Sequence, residues 1–222
     1  LNQKEKDWIA AELAREGQEK LASHNISAGK ALLNKRVWHL GFIGFTLNTG
    51  MYSMNFWMPQ LVQSLSSGIS YSLIGLLAMI PHLVGLPVMV MVSRSSDRKQ
   101  ERRFHAAIPA IVAGIALASL GATQSIFPTI VLLSFAALGI YSVYGPFYSL
   151  PSDFLTGFAA ASGIALVSSL ANLGGFAGPY ATGWISQKTG SLYGGLAVAG
   201  VSLFASATLM LLLPRRLRGT SN

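Results

Sequence analysis

The chain has 222 residues, 51% of them hydrophobic and 11% charged, with mean hydropathy +0.48 and net charge +8. Soluble domains carry about 25% charged residues, so an ordinary soluble domain is excluded. With no cysteine, so are a disulfide framework and a Cys-based metal site. The positive charge does not read as a nucleic-acid surface, because the basic residues flank apolar runs and have no aromatics interleaved with them.

Residues 1–36 are polar. Asn2 and Glu5 have capping-box spacing, and Trp8, Ile9 and Leu13 give the helix that follows an apolar edge. Glu12, Glu16 and Glu19 alternate with Arg15 and Lys20 on its wet side. The segment reads as a solvated surface helix before the first span, with membrane-surface contact through Trp8 as the alternative. The first residue is Leu and no signal-peptide pattern leads the chain, so the sequence is expected to be a piece of a longer polypeptide.

Beyond residue 36, Lys, Arg, Asp and Glu are absent from Val37 to Ser93, Phe104 to Ser152, Phe154 to Gln187 and Thr189 to Pro214. A hydrocarbon core of about 30 Å takes roughly 20 apolar residues of helix. These runs divide into six such segments: Val37–Gln60, Ser70–Ser93, Phe104–Ala122, Ile126–Leu150, Gly157–Ile185 and Leu192–Leu213. Alternate connections then hold 15 of the 16 basic residues, with only Lys188 on the opposite side. By the positive-inside rule the basic side is cytoplasmic, and it holds both the 1–36 segment and the 214–222 tail. An odd number of spans would split the basic clusters.

Several spans are expected to be interrupted. Pro81 and Pro87 flank His82 and Gly85 in the second, Gly145-Pro146 and Pro151 break the fourth, and Gly174-Gly175, Gly178 and Pro179 break the fifth. Matching Gly/Pro breaks in two halves of a bundle point to a transporter's substrate site. The competing reading is close helix packing, for which Ala171, Gly174 and Gly178 have the required spacing.

The turn after the second span carries Asp97 and Glu101 among Arg94, Arg98, Lys99, Arg102 and Arg103. Read alone it is a solvated charge run. It also resembles the G-x-x-x-D-R-x-G-x-R-R loop of the major facilitator superfamily. Asp97, Arg98, Arg102 and Arg103 fall in register, while Ser93 and Gln100 stand where that family has glycines. The resemblance implies that Asp97 caps a helix end and pairs with arginine to gate the outward-open state. It extends through Phe56-Trp57-Met58-Pro59-Gln60, the stretch from Gly145 to Ser152, Leu155–Leu166 and Asn172–Tyr180. Together these resemble the anion:cation symporter family, in the branch of bacterial tartrate, phthalate and hydroxyphenylacetate carriers. The match covers nearly the whole chain and implies the C-terminal half of a twelve-helix carrier. Ser168 departs from the Asn common in that family.

A polar side chain in a charge-free span must find a partner or face a cavity. Asn48, Tyr52 and Asn55 lie on the first span, with Asn48 and Tyr52 four residues apart on one face. Tyr141, Tyr144 and Tyr148 recur along the fourth, and Ser168 and Asn172 are four apart on the fifth. Asn48, Tyr52, Asn55, Tyr144, Tyr148, Ser168 and Asn172 are the candidate substrate contacts. Tyr141 reads as interfacial or interhelical packing, and His82 as a packing contact with a proton or substrate role as the alternative. His24, His39, His82 and His105 are too scattered for a metal site, and no catalytic carboxylate pair exists. No cofactor is expected.

The expected fold is all-α and polytopic, with six transmembrane helices in two inverted three-helix repeats. The expected function is secondary transport of a small organic anion across a bacterial inner membrane. The partners would be an N-terminal six-helix half, the lipid bilayer and, by resemblance, a coupling proton. The alternative is a self-contained membrane subunit or an intramembrane hydrolase. The latter lacks an activated nucleophile: no Gly-x-Ser-x-Gly elbow is present, and His82 is the only buried base.

Overall fold

The computed structural model describes residues 2–22, 33–65, 68, 70–151 and 157–213. These fold into helices, with no strand among the described residues. They are α1 (Gln3–Ala22), α2 (Lys35–Ser64), α3 (Tyr71–Lys99), α4 (Arg103–Ala118), α5 (Ile126–Ser149), α6 (Gly157–Thr189) and α7 (Leu192–Leu211). A short 3-10 turn, Ser119–Ala122, prolongs α4. The connection holding His24 and Lys30, the 152–156 segment with Asp153, and the arginine-rich tail lie outside the described residues.

The helix starts follow the capping rules. At α1 the box forms in both directions: Glu5 N–H donates to Asn2 Oδ1 at 2.9 Å, and Asn2 N–H donates to Glu5 Oε2 at 2.8 Å. Asn34, Ser70 and Ser191 accept from the first turns of α2, α3 and α7. The expected interruptions do not occur. α3 runs unbroken through Pro81 and Pro87, α5 through Pro146 and α6 through Pro179. Neighbouring helices hold these stretches in register; Trp57 Nε1, for example, donates to the Pro179 carbonyl at 3.1 Å.

Five helices are long and apolar enough to cross a membrane: α3, α4 with its 3-10 turn, α5, α6 from Ala161, and α7. α2 does not join them on hydropathy, although it is 30 residues long and carries no charge after Arg36. Thr46, Asn48, Thr49, Ser53 and Asn55 dilute its apolar content. The helix that falls short of a lipid-soluble composition is thus the one with more candidate substrate contacts, three of seven, than any other.

The bundle is built from pairs. α2 packs chiefly on α6, α3 on α5, and α4 on α7, while α4 also lies against α5 and α2 against α7. Exchanging α2, α3, α4 for α5, α6, α7 maps these partnerships onto themselves. In lipid, helices associate through close packing of small residues. Buried Ala106, Ala107, Ala110, Ala113 and Gly114 therefore make α4 a thin central element. The α2–α6 contact works the same way. Gly174 lies against the Phe45 carbonyl and Gly178 against that of Thr49, so the packing reading of this stripe is the one the structure bears out. Among the apolar faces left uncovered are Leu76, Met79, Leu83 and Leu86 on α3, and Leu173, Phe176, Tyr180 and Trp184 on α6.

Candidate functional site

α2, α3, α5 and α6 bring most of the polar candidates into one cluster. Asn48 is 5% exposed, and its Oδ1 accepts from the Tyr144 hydroxyl at 2.7 Å, with the Met51 sulfur alongside. The Tyr144 ring stacks on Tyr148, with centroids 5.9 Å apart and planes 11° from parallel. Tyr148 and Tyr52 are 39% and 40% exposed. The Tyr52 ring lies over Gly175, where a Cβ would come within 3.1 Å of it. Ser168 lies beside the Tyr148 hydroxyl, and Asn172 is exposed one turn further along α6.

A second chain of contacts runs from α2 to α3. The Asn55 side chain lies beside the Tyr141 hydroxyl, which is 2.6 Å from His82 Nδ1. Asn55 Oδ1 is buried without a hydrogen-bond partner. Tyr141, read from the sequence as a packing residue, is interhelical as expected but also bridges His82 to the cluster. The signal for it was present in the Tyr141/Tyr144/Tyr148 spacing. Met51 is a neighbour that sequence reasoning missed, because a methionine in an apolar helix carries no polar signal.

The cluster contains phenols, amides, a hydroxyl and an imidazole, and no Lys, Arg, Asp or Glu. It can donate to and accept from a small polar molecule and present aromatic faces. It holds no activated nucleophile. Among the described residues no group of three or more His, Asp and Glu is placed to hold a metal ion. His39 lies apart at the start of α2, with Nε2 2.8 Å from the Leu209 carbonyl.

The charged turn differs in detail from its sequence reading. Arg94 to Lys99 are not loop; they form the last turns of α3, where basic side chains complement the helix dipole. Gln100 ends the helix in the left-handed region at φ 50°, a conformation that explains the glycine favoured here by the resembling family. Asp97 is 63% exposed and pairs with Arg102. Arg98 is exposed, and Arg103 lies over the Phe104 ring at 5.6 Å. The residue that caps a helix is Glu101. Its carboxylate accepts from the Phe104 and His105 amides at 2.8 and 3.2 Å and meets His105 Nδ1 at 2.7 Å. Asp97 sits on α3 itself, whereas Glu101 precedes the first turn of α4 and its longer side chain reaches those amides. Partial burial pushes the Glu101 carboxyl up, but the hydrogen bonds from Phe104 and His105 outweigh it and hold the group below the usual range. His105 Nε2 meets Ser95 at 3.0 Å, and buried Ser96 donates to the Glu101 carbonyl at 2.7 Å. The turn is therefore tied to both helices.

The described residues form an all-helical bundle with apolar, membrane-length helices and a neutral polar cluster. Residues 5–179 match the model of the Major Facilitator Superfamily, and the chain belongs to that family. It is 36% identical over 219 residues to a protein of Agrobacterium vitis named as a tartrate transporter, covering 97% of this chain and 49% of that one. It is 38% identical over 220 residues to the metabolite transport protein NicT of Pseudomonas putida, covering 98% and 49%. It is 31% identical over 210 residues to the inner membrane transport protein RhmT of Escherichia coli, covering 94% and 47%. The chain thus spans about half the length of the curated relatives it matches. This family places it among transporters and not enzymes.

Proposed function

We infer that the chain is the C-terminal half of a secondary carrier that moves a small organic anion across the bacterial inner membrane. Transport would occur by alternating access and proton symport. The observation that carries this reading is the neutral hydrogen-bonding cluster shared by α2, α3, α5 and α6, open at Tyr52, Tyr148 and Asn172. Polar side chains are kept in a bilayer where they meet one another, a cavity or a substrate. In this reading Asn48, Tyr52, Asn55, Tyr144, Tyr148, Ser168 and Asn172 line the substrate cavity, and His82 acts through Tyr141.

α2 is the sixth span beside the five apolar helices, its polar face turned to the cavity. The exchange symmetry of the helix pairs supports two inverted three-helix repeats. The uncovered faces of α3 and α6 are the surfaces on which an N-terminal six-helix half would rest. The distribution of Lys and Arg supports cytoplasmic placement of the basic side. There Asp97 and its arginines bias the inward- and outward-facing populations. The name of the Agrobacterium relative supports a hydroxylated dicarboxylate as substrate.

The test is uptake of labelled tartrate into proteoliposomes bearing the full-length carrier, with and without an inward proton gradient. Saturable, gradient-driven uptake that Tyr148→Ala and Asn172→Ala weaken is the expected result. The reading falls if spin labels at Tyr52, Tyr148 and Asn172 all report lipid instead of water. It also falls if no carboxylate of this class exchanges.

A further inference from the structure

A second recess lies well away from the polar cluster. α2 and α7 leave between them a groove of about 500 Å³ lined by Lys35, Trp38, His39, Phe42, Thr46 and Leu209. Phe42 and Thr46 precede Asn48 by six and two residues, so they stand roughly 120–160° around α2 from it. The groove therefore faces away from the proposed substrate cavity. Its walls are apolar where they are deep. The Thr46 hydroxyl is turned back into its own helix, donating to the Phe42 and Ile43 carbonyls at 3.0 Å each. His39 joins α2 to α7 through the Leu209 carbonyl and closes the groove's inner side.

The two ends of the groove differ in chemistry. At the start of α2 stands Lys35, exposed, with Trp38 one turn below it and also exposed. Below them Phe42, Thr46 and Leu209 carry no charge. Lys35 to Thr46 covers about 16 Å of helix, about half the roughly 30 Å of a hydrocarbon core. The groove thus has the depth of one leaflet, with its cation and its tryptophan where the headgroups begin and its apolar part where a chain runs. A tryptophan at headgroup level is a usual interfacial anchor. The first turn of a 30-residue helix adds a positive dipole end beside Lys35. Basic pockets between transmembrane helices are sites where anionic lipid headgroups are held.

The geometry points to a site for one anionic phospholipid of the bilayer. Its phosphate meets Lys35 at the start of α2, and one acyl chain lies along Trp38, Phe42, Thr46 and Leu209. The occupant rests on charge complementarity at one end and on leaflet-matched depth at the other. Such a lipid would fill the seam between α2 and α7 and hold two helices of the bundle together from outside. The inference needs α2 to stand in the membrane but does not depend on the identity of the transported molecule.

The test uses the full-length carrier in vesicles containing brominated phosphatidylglycerol or brominated phosphatidylcholine at equal mole fraction. The Trp38 signal is the difference between the unaltered carrier and Trp38→Phe, so the other tryptophans stay in place. Brominated phosphatidylglycerol should quench that component with an association constant about five-fold larger, the worth of one lysine at an anionic surface. Lys35→Gln should bring the two lipids to near parity. Arg94→Gln, on the same side of the membrane but on α3, should leave the preference intact. Equal quenching by both lipids in the unaltered carrier would overturn the site. So would an equal loss of preference in Arg94→Gln, which would mark a general surface potential. Absence of quenching by either lipid would show a segment of protein in the groove and would also overturn it. Substrate exchange in Lys35→Gln reports separately on the transport reading.

Discussion

Tyr144→Phe removes one oxygen from the Asn48–Tyr144 contact of the polar cluster and leaves the ring in place. The stack on Tyr148 and the burial of the ring are unchanged, so the loss falls on the hydroxyl's contacts with Asn48 Oδ1 and the Met51 sulfur, and the cycle below isolates the former. In a soluble core an orphaned buried acceptor costs about 1–3 kcal/mol. In a bilayer the measured coupling is smaller, averaging about 0.6 and reaching about 1.7 kcal/mol, because a chain unfolded within lipid also finds partners. Asn48 is nearly fully buried and its partner hydroxyl is close, so we expect the upper part of that range, about 1–1.5 kcal/mol. The assay is a double-mutant cycle of Tyr144→Phe and Asn48→Leu, with equilibrium unfolding in mixed micelles. Asn48→Leu should be costly alone, and the double mutant should be less destabilised than the sum by the coupling energy. Strict additivity would refute the contact as an energetic link and, with it, the idea that Asn48 fixes Tyr144 against Tyr148.

Gly174→Val and Gly178→Val should each disrupt α2–α6 packing, because a side chain there would meet the Phe45 or Thr49 carbonyl. Gly75→Val, where an added Cβ would meet nothing within 4 Å, should leave the amount of folded carrier unchanged by size-exclusion chromatography. Glu101→Gln should cost about 0.5–2 kcal/mol, the usual worth of a helix cap. Because the Glu101 pKa is depressed in the fold, its contribution is present above the unfolded value and is lost as pH falls through the folded one; thermal unfolding of the variant should lack that acid-side decline. His82→Gln should retain accumulation driven by a pH gradient. Intact substrate exchange with loss of gradient coupling in that variant would make His82 the relay.

Much of this arrangement was written in local pattern. The absence of charge marked the apolar segments and placed the helices to within a few residues. The Asn2–Glu5 box and the Ala171/Gly174/Gly178 stripe were legible because both depend on spacing within one helix. What was not legible depends on neighbours. Prolines 81, 87, 146 and 179 read as breaks, yet packing from adjacent helices carries the chain straight through them. Arg94 to Lys99 read as loop because charge commonly ends a span, although basic residues suit a helix C-terminus. Glu101 was hidden among five basic neighbours, and its role shows only once α4 begins beside it. That Tyr144 finds Asn48 and Tyr141 finds His82 is a matter of helix rotation, on which a single sequence is silent.

The direction of hydrogen bonding in the α2–α5–α3 chain bears on how coupling would be shared between two halves of a carrier. A charged side chain at the centre of a bilayer costs at least about 2.5–3.5 kcal/mol, and the described helices carry none between Arg36 and Ser93 or after Phe104 until Lys188. His82 is the titratable group of suitable intrinsic pKa that remains mid-span. Its Nδ1 is already engaged by Tyr141. The Tyr141 hydroxyl and His82 Nδ1 share one hydrogen bond, with Nδ1 accepting in the neutral Nε2–H tautomer. Placing a proton on that nitrogen would require the Tyr141 hydroxyl to turn away and leave its oxygen as the acceptor. Loading His82 on Nδ1 therefore reorients its partner on α5. A glutamine at position 82 can accept from Tyr141 as the imidazole does and preserve the order of the chain. Under the proposed proton symport, this half would supply a neutral wall, and the carboxylate that takes up the proton would belong to the other half.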